Sequence, residues 1–281
     1  MRELAGKVAV VTGAASGIGR ALALRLARER CDLALADIDA GRLAGTAADA
    51  RRLGVSVSLH GVDVANRDAM AAFRDAVLKT HGRAELLVNN AGVALMGTVA
   101  QVSLEDIEWL MDVNFWGVVH GVKLFLPVLR QQAEAHIVNL SSIFGIIAPP
   151  GQAPYCASKF AVRGFTEALR HELAGSTIRV STVHPGGIRT PIAANARAAA
   201  GVGNAERAQA IAHFDKLART LPDDAAERIV RGIRRDEPRI LIGGDARLLD
   251  RLQRLFPTRY WQILGRLVAP REIAAIQEKR G

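Results

Sequence analysis

Seven short apolar runs punctuate the chain, separated by stretches of helical length and pattern. The runs are Val8–Thr12, Leu33–Asp37, Val55–Val64, Leu86–Asn89, His136–Ser141, Ile178–His184 and Arg239–Ile242. Most are nearly continuous rather than alternating, as in parallel strands covered on both faces. The helical stretches are Ile18–Arg30, Gly41–Leu53, Arg67–His81, Leu104–Arg130, Pro154–Leu173 and Asp224–Arg234. This βαβ alternation predicts an α/β fold, a doubly wound parallel sheet of about seven strands with helices on both faces. A length of 281 residues suits one such domain better than two.

The first strand runs into Thr12-Gly13-Ala14-Ala15-Ser16-Gly17-Ile18-Gly19, and a helix follows. Gly13 permits a tight turn, Gly17 removes bulk where backbone approaches a pyrophosphate, and Gly19 lets helix and strand pack closely. The helix start offers free N–H groups and a positive dipole end, so Gly13, Ser16, Gly17, Ile18 and Gly19 are candidate phosphate-binding positions. A glycine-rich loop alone also serves ordinary turns. Here it links a strand to a helix at the start of a βαβ unit, the context of a Rossmann-type dinucleotide site.

Asp37 ends the second run, eighteen residues after Gly19. A carboxylate there accepts from the adenosine ribose hydroxyls and repels a 2′-phosphate. Ala14, Ala15 and Ile38 supply no cation for such a phosphate, so NAD is expected over NADP. Asp37 has a second reading as a helix N-cap, a role open to Asp39 as well. Asp63 and Val64 end the third run, where a carboxylate suits the adenine amino group. Asn90, Ala91 and Gly92 follow the fourth and leave space for a cofactor.

Tyr155 and Lys159 stand four residues apart, on one face of a helix. A free tyrosine titrates near pH ~10 and is a poor base at neutral pH unless a cation stabilises the phenolate. Lys159 is such a cation. Ser142 follows the fifth run, thirteen residues before Tyr155, where strand C-termini face the ligand crevice of an open sheet.

Taken together, Thr12-Gly13-x-x-x-Gly17-Ile18-Gly19, Asp63, Asn89-Asn90-Ala91-Gly92, Val113-Asn114, Ser142, Tyr155-x-x-x-Lys159, Pro185-Gly186 and Thr190 resemble the short-chain dehydrogenase/reductase family, in the common subfamily of about this length. The pieces occur in family order and cover most of residues 5–245. The resemblance implies that Tyr155 is the general acid/base, that Lys159 lowers its pKa and bonds the nicotinamide ribose, and that Ser142 orients the substrate oxygen. It implies that Asn114 interrupts its helix and links Lys159 to solvent through a water. Pro185, Gly186, Ile188 and Thr190 would grip the carboxamide, while Thr12 and Asn90 support the cofactor bed. It implies a substrate lid at 191–221 within a catalytic domain of 1–245. It also implies a homodimer or homotetramer, with Leu104–Arg130 and Pro154–Leu173 at the interface.

The remaining features bound the function. The net charge is +9, with thirteen Lys/Arg against seven Asp/Glu from Glu227 onward. No helix-turn-helix or basic aromatic strand accompanies it, so nucleic acid is not expected. The histidines show no metal-ligand spacing, and no metal is expected. Two cysteines, Cys31 and Cys156, suggest no disulfide framework; Cys156 reads as a packing residue and His184 as a structural one. A strand starting at Val8 leaves no room for a leader, and no run is long enough to span a membrane; the expected setting is cytoplasmic. Alanines of the lid, with Ile143, Phe144, Ile146, Ile147 and Val93–Met96, suggest an apolar substrate. In the extension 246–281, Leu248, Leu249, Leu252, Leu255 and Phe256 fall at helical spacing beside Arg247, Arg251 and Arg254, and Tyr260 to Val268 is a second apolar stretch. This reads as packing on the body or on a sister subunit; peripheral contact with an anionic membrane is the alternative. The expected activity is NAD-dependent interconversion of a secondary alcohol and a ketone. The alternatives are a membrane-associated enzyme of lipid-like or steroid alcohols, and an idle cofactor-binding module.

Overall fold

The computed structural model describes residues 1–267. The chain runs β1 (Val8–Thr12), α1 (Gly17–Arg28), β2 (Asp32–Asp37), α2 (Ala40–Arg52), β3 (Val57–Gly61), α3 (Arg67–His81), β4 (Leu86–Asn89), β5 (Leu95–Met96) and α4 (Leu104–Met111). After a π-helical turn, Asp112–Trp116, come α5 (Gly117–Arg130), β6 (Ala135–Leu140), a 3-10 turn at Ile143–Gly145, α6 (Ala153–Glu172), β7 (Ile178–Pro185) and β8 (Arg197–Ala198). Then follow α7 (Asn204–Leu217), α8 (Pro222–Arg234), β9 (Arg239–Ile242), α9 (Gly244–Leu255) and α10 (Tyr260–Leu267).

The seven expected strands form one parallel sheet in the order β3-β2-β1-β4-β6-β7-β9. The order reverses between β1 and β4, so the crossovers diverge there and leave a crevice at the strand C-termini. Side chains alternate across the sheet. Ala9, Val11, Leu33, Leu35, Leu86 and Val88 pack against α1, α2 and α8 through Leu22, Leu26, Leu43, Ile229 and Ile233. Val10, Ala34, Leu87 and Ile137 face α3, α5 and α6 through Phe73, Phe125, Leu129 and Val162. Each large side chain so buried contributes roughly 1.5–3 kcal/mol.

Three departures from expectation go beyond a shift of one or two residues. β3 stops at Gly61, because Val62 to Val64 turn towards the crevice after Val62 N–H bonds the Asp37 carbonyl. A two-stranded parallel ribbon, β5 with β8, joins a segment assigned to no expected element to the lid; two residues per strand carry no readable periodicity. The single helix expected over Leu104–Arg130 is divided by the π turn that contains Asn114. Among the described residues no helix is long and apolar enough to cross a membrane. Residues 268–281, including Val268 of the second apolar stretch, lie outside the described chain.

The tightest helix–strand approach is at Gly19, where a Cβ would stand 2.0 Å from the Gly13 carbonyl oxygen and 2.4 Å from Asn90 Nδ2. Both neighbours are held by the fold, so Gly19→Ala is expected to cost about 1–3 kcal/mol or more, read as a lower urea midpoint. Gly45→Ala on α2, where a Cβ meets nothing within 4 Å, is expected to leave the midpoint unchanged or raise it slightly.

Candidate functional site

The glycine loop is cross-linked to the end of β4. Thr12 Oγ1 accepts from the N–H groups of Asn90 (3.0 Å) and Ala91 (3.1 Å). Asn90 Nδ2 donates to the carbonyls of Thr12 (2.9 Å) and Gly13 (3.0 Å). Gly13 and Gly17 adopt φ of +66° and +53°, the left-handed region that favours glycine. Ser16 occupies the N-cap of α1 without a side-chain cap bond, so the first N–H groups of the helix face the crevice uncapped. The bulk that Gly17 avoids is Thr190: a Cβ there would meet its methyl at 3.1 Å. The loop thus brings Gly13, Ser16, Gly17 and Ile18 to the cleft wall, and Gly19 supports them from behind.

Asp37 stands at the end of β2 with its carboxylate over this loop, accepting from Ala15 N–H (2.9 Å) and Asp39 N–H (3.0 Å). It is not the cap of α2. Asp39 is, accepting from Arg42 N–H (2.9 Å) and pairing with Arg42 Nε (2.5 Å). Arg42 lines the same wall as Asp37. The expectation of no nearby cation considered only Ala14, Ala15 and Ile38; one turn of α2 returns Arg42 to the site, already paired with Asp39. Asp63 accepts from Ala65 N–H (3.0 Å) and lines the cleft with Val64.

At the other end of the cleft, Ser142, Tyr155 and Lys159 converge. Ser142 caps the 3-10 turn, accepting from Phe144 N–H at 3.1 Å. Phe144 meets the Tyr155 ring edge-on, centroids 6.2 Å apart. Lys159 Nζ lies 5.6 Å from the Tyr155 ring centroid and donates to the Leu140 carbonyl at 3.2 Å. Burial pushes the Tyr155 phenol up to about 12, with the Ser142 hydrogen bond acting in the opposite sense. Burial also pushes the Lys159 ammonium down to about 8. A lysine-lowered phenol was expected; here desolvation dominates and the lowering comes from Ser142, while Lys159 is engaged with a backbone carbonyl.

Asn114 is fully buried. Its Nδ2 donates to Val93 O (3.0 Å) and Ser158 Oγ (3.1 Å), and its Oδ1 accepts from Val93 N–H (2.8 Å). It therefore stitches the π turn to α6 and to the loop after β4. A Cβ on Gly92 would lie 3.2 Å from Asn114 Oδ1 and 3.3 Å from Lys159 Nζ, so both polar atoms face the same glycine.

Pro185, Gly186, Ile188 and Thr190 line the cleft beyond β7. Asp245 holds this turn: Oδ2 accepts from Gly187 N–H at 2.7 Å and would stand 2.3 Å from a Cβ on Gly186. Sequence reasoning missed Asp245; its only signal was an acid in the first turn of a helix. His184, expected to be structural, is buried with Nδ1 3.0 Å from the Ser142 carbonyl. Cys156 is buried too, its thiol pushed up to about 11 by burial.

The cleft, about 2900 Å³, runs from Asp37 and Arg42 past Tyr155 to the lid and the C-terminal helices. The lid is pinned by β5–β8 and by Arg197, which bonds Asp106 (3.0 Å) and covers the Trp109 ring at 3.7 Å. Ala193, Ala196 and Ala199 form the base of the lid. They are buried, their small size letting the lid base pack closely. Leu248, Leu249, Trp261 and Leu264 complete the wall. Tyr260 Oη accepts from Ala148 N–H at 2.9 Å, and Leu249 and Tyr260 pack on Ile143, Ile146 and Ile147, so the described part of the tail lies on the body.

A Rossmann-type sheet with a glycine cradle at its switch point and a Ser–Tyr–Lys cluster beside it belongs to an oxidoreductase with a nicotinamide cofactor. The model for short chain dehydrogenases matches residues 7–201, and the chain belongs to the short-chain dehydrogenase/reductase family. It is 46% identical over 273 residues to SadH of Mycobacterium tuberculosis, covering 96% of this chain and 98% of that one. A crystal structure of a family member from Burkholderia phymatum in complex with NAD superposes with a TM-score of 0.85 at 35% identity, covering 91% of this chain and 95% of that one. An alcohol dehydrogenase from Thermococcus sibiricus complexed with 5-hydroxy-NADP gives a TM-score of 0.72 at 26% identity, over 84% and 95%.

Burial also governs the response to acid. His136 and His184 are pushed down to about 3 and about 4 from 6.5, chiefly by desolvation. Between those values and 6.5 the unfolded chain binds protons that the folded chain refuses, so stability falls as pH drops through that window and is fully present above it. Thermal melts are expected to show a falling Tm from pH about 6.5 towards 4, with a smaller fall in His184→Asn.

Proposed function

We propose that the chain interconverts a secondary alcohol and a ketone, with NAD as the hydride carrier and Tyr155 as the proton carrier. The observation that carries this reading is the convergence of Ser142, Tyr155 and Lys159 on the wall that continues into the glycine cradle. The cradle fits a dinucleotide: the first N–H groups of α1 are uncapped, and Gly13, Gly17, Asp37, Asn90 and Gly186 line one continuous wall. The N–H groups from Ser16 to Gly19 suit a pyrophosphate, Asp37 a ribose diol, and Asp63 with Val64 an adenine. Asn90, Ala91 and Gly92 form the bed, and Pro185, Gly186, Ile188 and Thr190 the carboxamide end. When bound, the nicotinamide ring supplies hydride transfer.

The residues then divide the remaining work. Ser142 Oγ orients the substrate oxygen, and Tyr155 Oη exchanges a proton with it. With its phenol pushed up to about 12, Tyr155 holds that proton at neutral pH, which suits donation to a ketone oxygen. Lys159 Nζ keeps a positive charge beside the phenol and reaches the ribose. Asn114 acts through Lys159, as a positioning residue on the other side of Gly92. The lid and the apolar wall of Val93, Ile143, Phe144, Leu249 and Trp261 exclude water and favour an apolar substrate.

NAD is favoured because the Asp37 carboxylate at the end of β2 would repel a 2′-phosphate and Arg42 is committed to Asp39. The NAD-bound structure from Burkholderia phymatum supports this reading.

A panel of apolar ketones and secondary alcohols, assayed with NADH and NADPH and their oxidised forms, tests the proposal. Tyr155→Phe is expected to lose about 10²–10⁴-fold in turnover while binding cofactor normally by fluorescence titration. Normal turnover would refute the role of Tyr155. Asp37→Ala is expected to shift the NADP-to-NAD ratio of kcat/KM by about tenfold or more towards NADP, equivalent to ~1.4 kcal/mol. An unshifted ratio removes Asp37 as the discriminator.

A further inference from the structure

Helix α9 has an outward face that resembles no ordinary solvated surface. Its exposed positions Arg247, Leu248, Arg251, Arg254 and Leu255 recur at helical spacing, while Ala246 and Asp250 point inward. Leu248 is 63% exposed and Leu255 73%, and Phe256 follows at 45%. Solvated helix faces carry both signs of charge and few large apolar groups. Here one of the two acids, Asp250, is turned inward, and the other, Asp245, stands exposed in the first turn beside Gly187. Asp250 is buried on Arg239 (2.6 Å) and Arg254 (3.2 Å), and Asp245 is spent on Gly187. Arg247 and Arg251 have no carboxylate partner among the described residues.

The face adjoins the substrate end of the cleft. Leu248 of α9 and Leu217 of α7 both line the cleft and both remain more than half exposed, so they form apolar lips of its mouth. Leucines interleaved with unpaired arginines, beside an apolar opening, match an anionic lipid surface: the leucines enter the acyl boundary while the guanidinium groups meet the headgroup charge.

We propose that the α9 face docks on an anionic lipid surface and holds the substrate-end mouth of the cleft against it. An apolar substrate then reaches the cleft by partition from lipid rather than through water. The binding surface stands on exposure and charge alone and does not depend on the assigned reaction.

The test is co-sedimentation of the full chain with phosphatidylcholine vesicles, with and without phosphatidylglycerol, at low and high salt. The expected result is pelleting with the anionic vesicles at low salt, weakened by salt. Arg247→Glu/Arg251→Glu and Leu255→Glu, each checked for an unchanged thermal melt, are expected to weaken it roughly tenfold or more. Neither variant touches the site residues, so turnover of a short, water-soluble substrate stays at the wild-type level. Absence of pelleting with anionic vesicles at low salt overturns the proposal, as does pelleting that the variants leave unchanged. A fall in oligomer mass in the variants by light scattering, without vesicle binding by the wild type, overturns it in favour of an interface between copies. Vesicle binding by a protein that reduces no ketone keeps this proposal and discards the assigned reaction.

Discussion

The site depends on the cross-link between the ends of β1 and β4. Thr12 and Asn90 meet where the strand order reverses, and four hydrogen bonds hold the glycine loop open there. Without that link the loop would have no fixed register against the loop after β4, and the uncapped start of α1 would not face a fixed cavity. The bonds are short-range and use both N–H donors of the Asn90 amide, so this residue shapes the cradle. Gly19 makes the arrangement sterically unforgiving, since the amide of Asn90 takes the space that a methyl would need.

Burial dominates the polar groups at the chemical end. Tyr155, Lys159, His184 and Asn114 sit where water is scarce, and each is held in its neutral form, engaged with a backbone partner, or both. His184 keeps the carbonyl of Ser142 in place, so a neutral imidazole positions the residue whose hydroxyl faces the phenol. Under the proposed reaction this amounts to preorganisation: groups fixed beforehand leave little rearrangement for the moment of reaction. Its cost appears as acid sensitivity, because the same burial excludes protons from two histidines.

Much of this was legible before any coordinates. Continuous apolar runs disclosed a sheet buried on both faces, and β1, α3, β4 and β9 fall at their expected limits. The glycine loop, Asp37, Ser142 and the Tyr155–Lys159 pair all come to one cleft. What escaped has a common cause: it depends on partners distant in sequence. The ribbon of β5 and β8 exists only because the lid returns to Leu95 and Met96. The π turn exists where Asn114 reaches back to the backbone of Val93; helical periodicity reads one continuous helix there, and only the family resemblance implies the interruption. Arg42 reaches the adenosine end by the geometry of one helical turn, not by adjacency to Asp37. Asp245 looks like an ordinary acid at a helix start until Gly186 and Gly187 are found beneath it.

Asp245 also explains why the C-terminal helices belong to the functional unit. The first turn of α9 fixes the Gly186–Gly187 turn, its inner face packs through Ala246 and Leu249 on the 3-10 segment after Ser142, and its outer face carries the arginines and leucines at the cleft mouth. One rigid element thus touches the cofactor-side turn, the residue after the site serine and the entrance. Substitutions on the inner face, where Ala246 and Leu249 pack beside Ile143, should therefore disturb geometry at Ser142 more than those on the outer face.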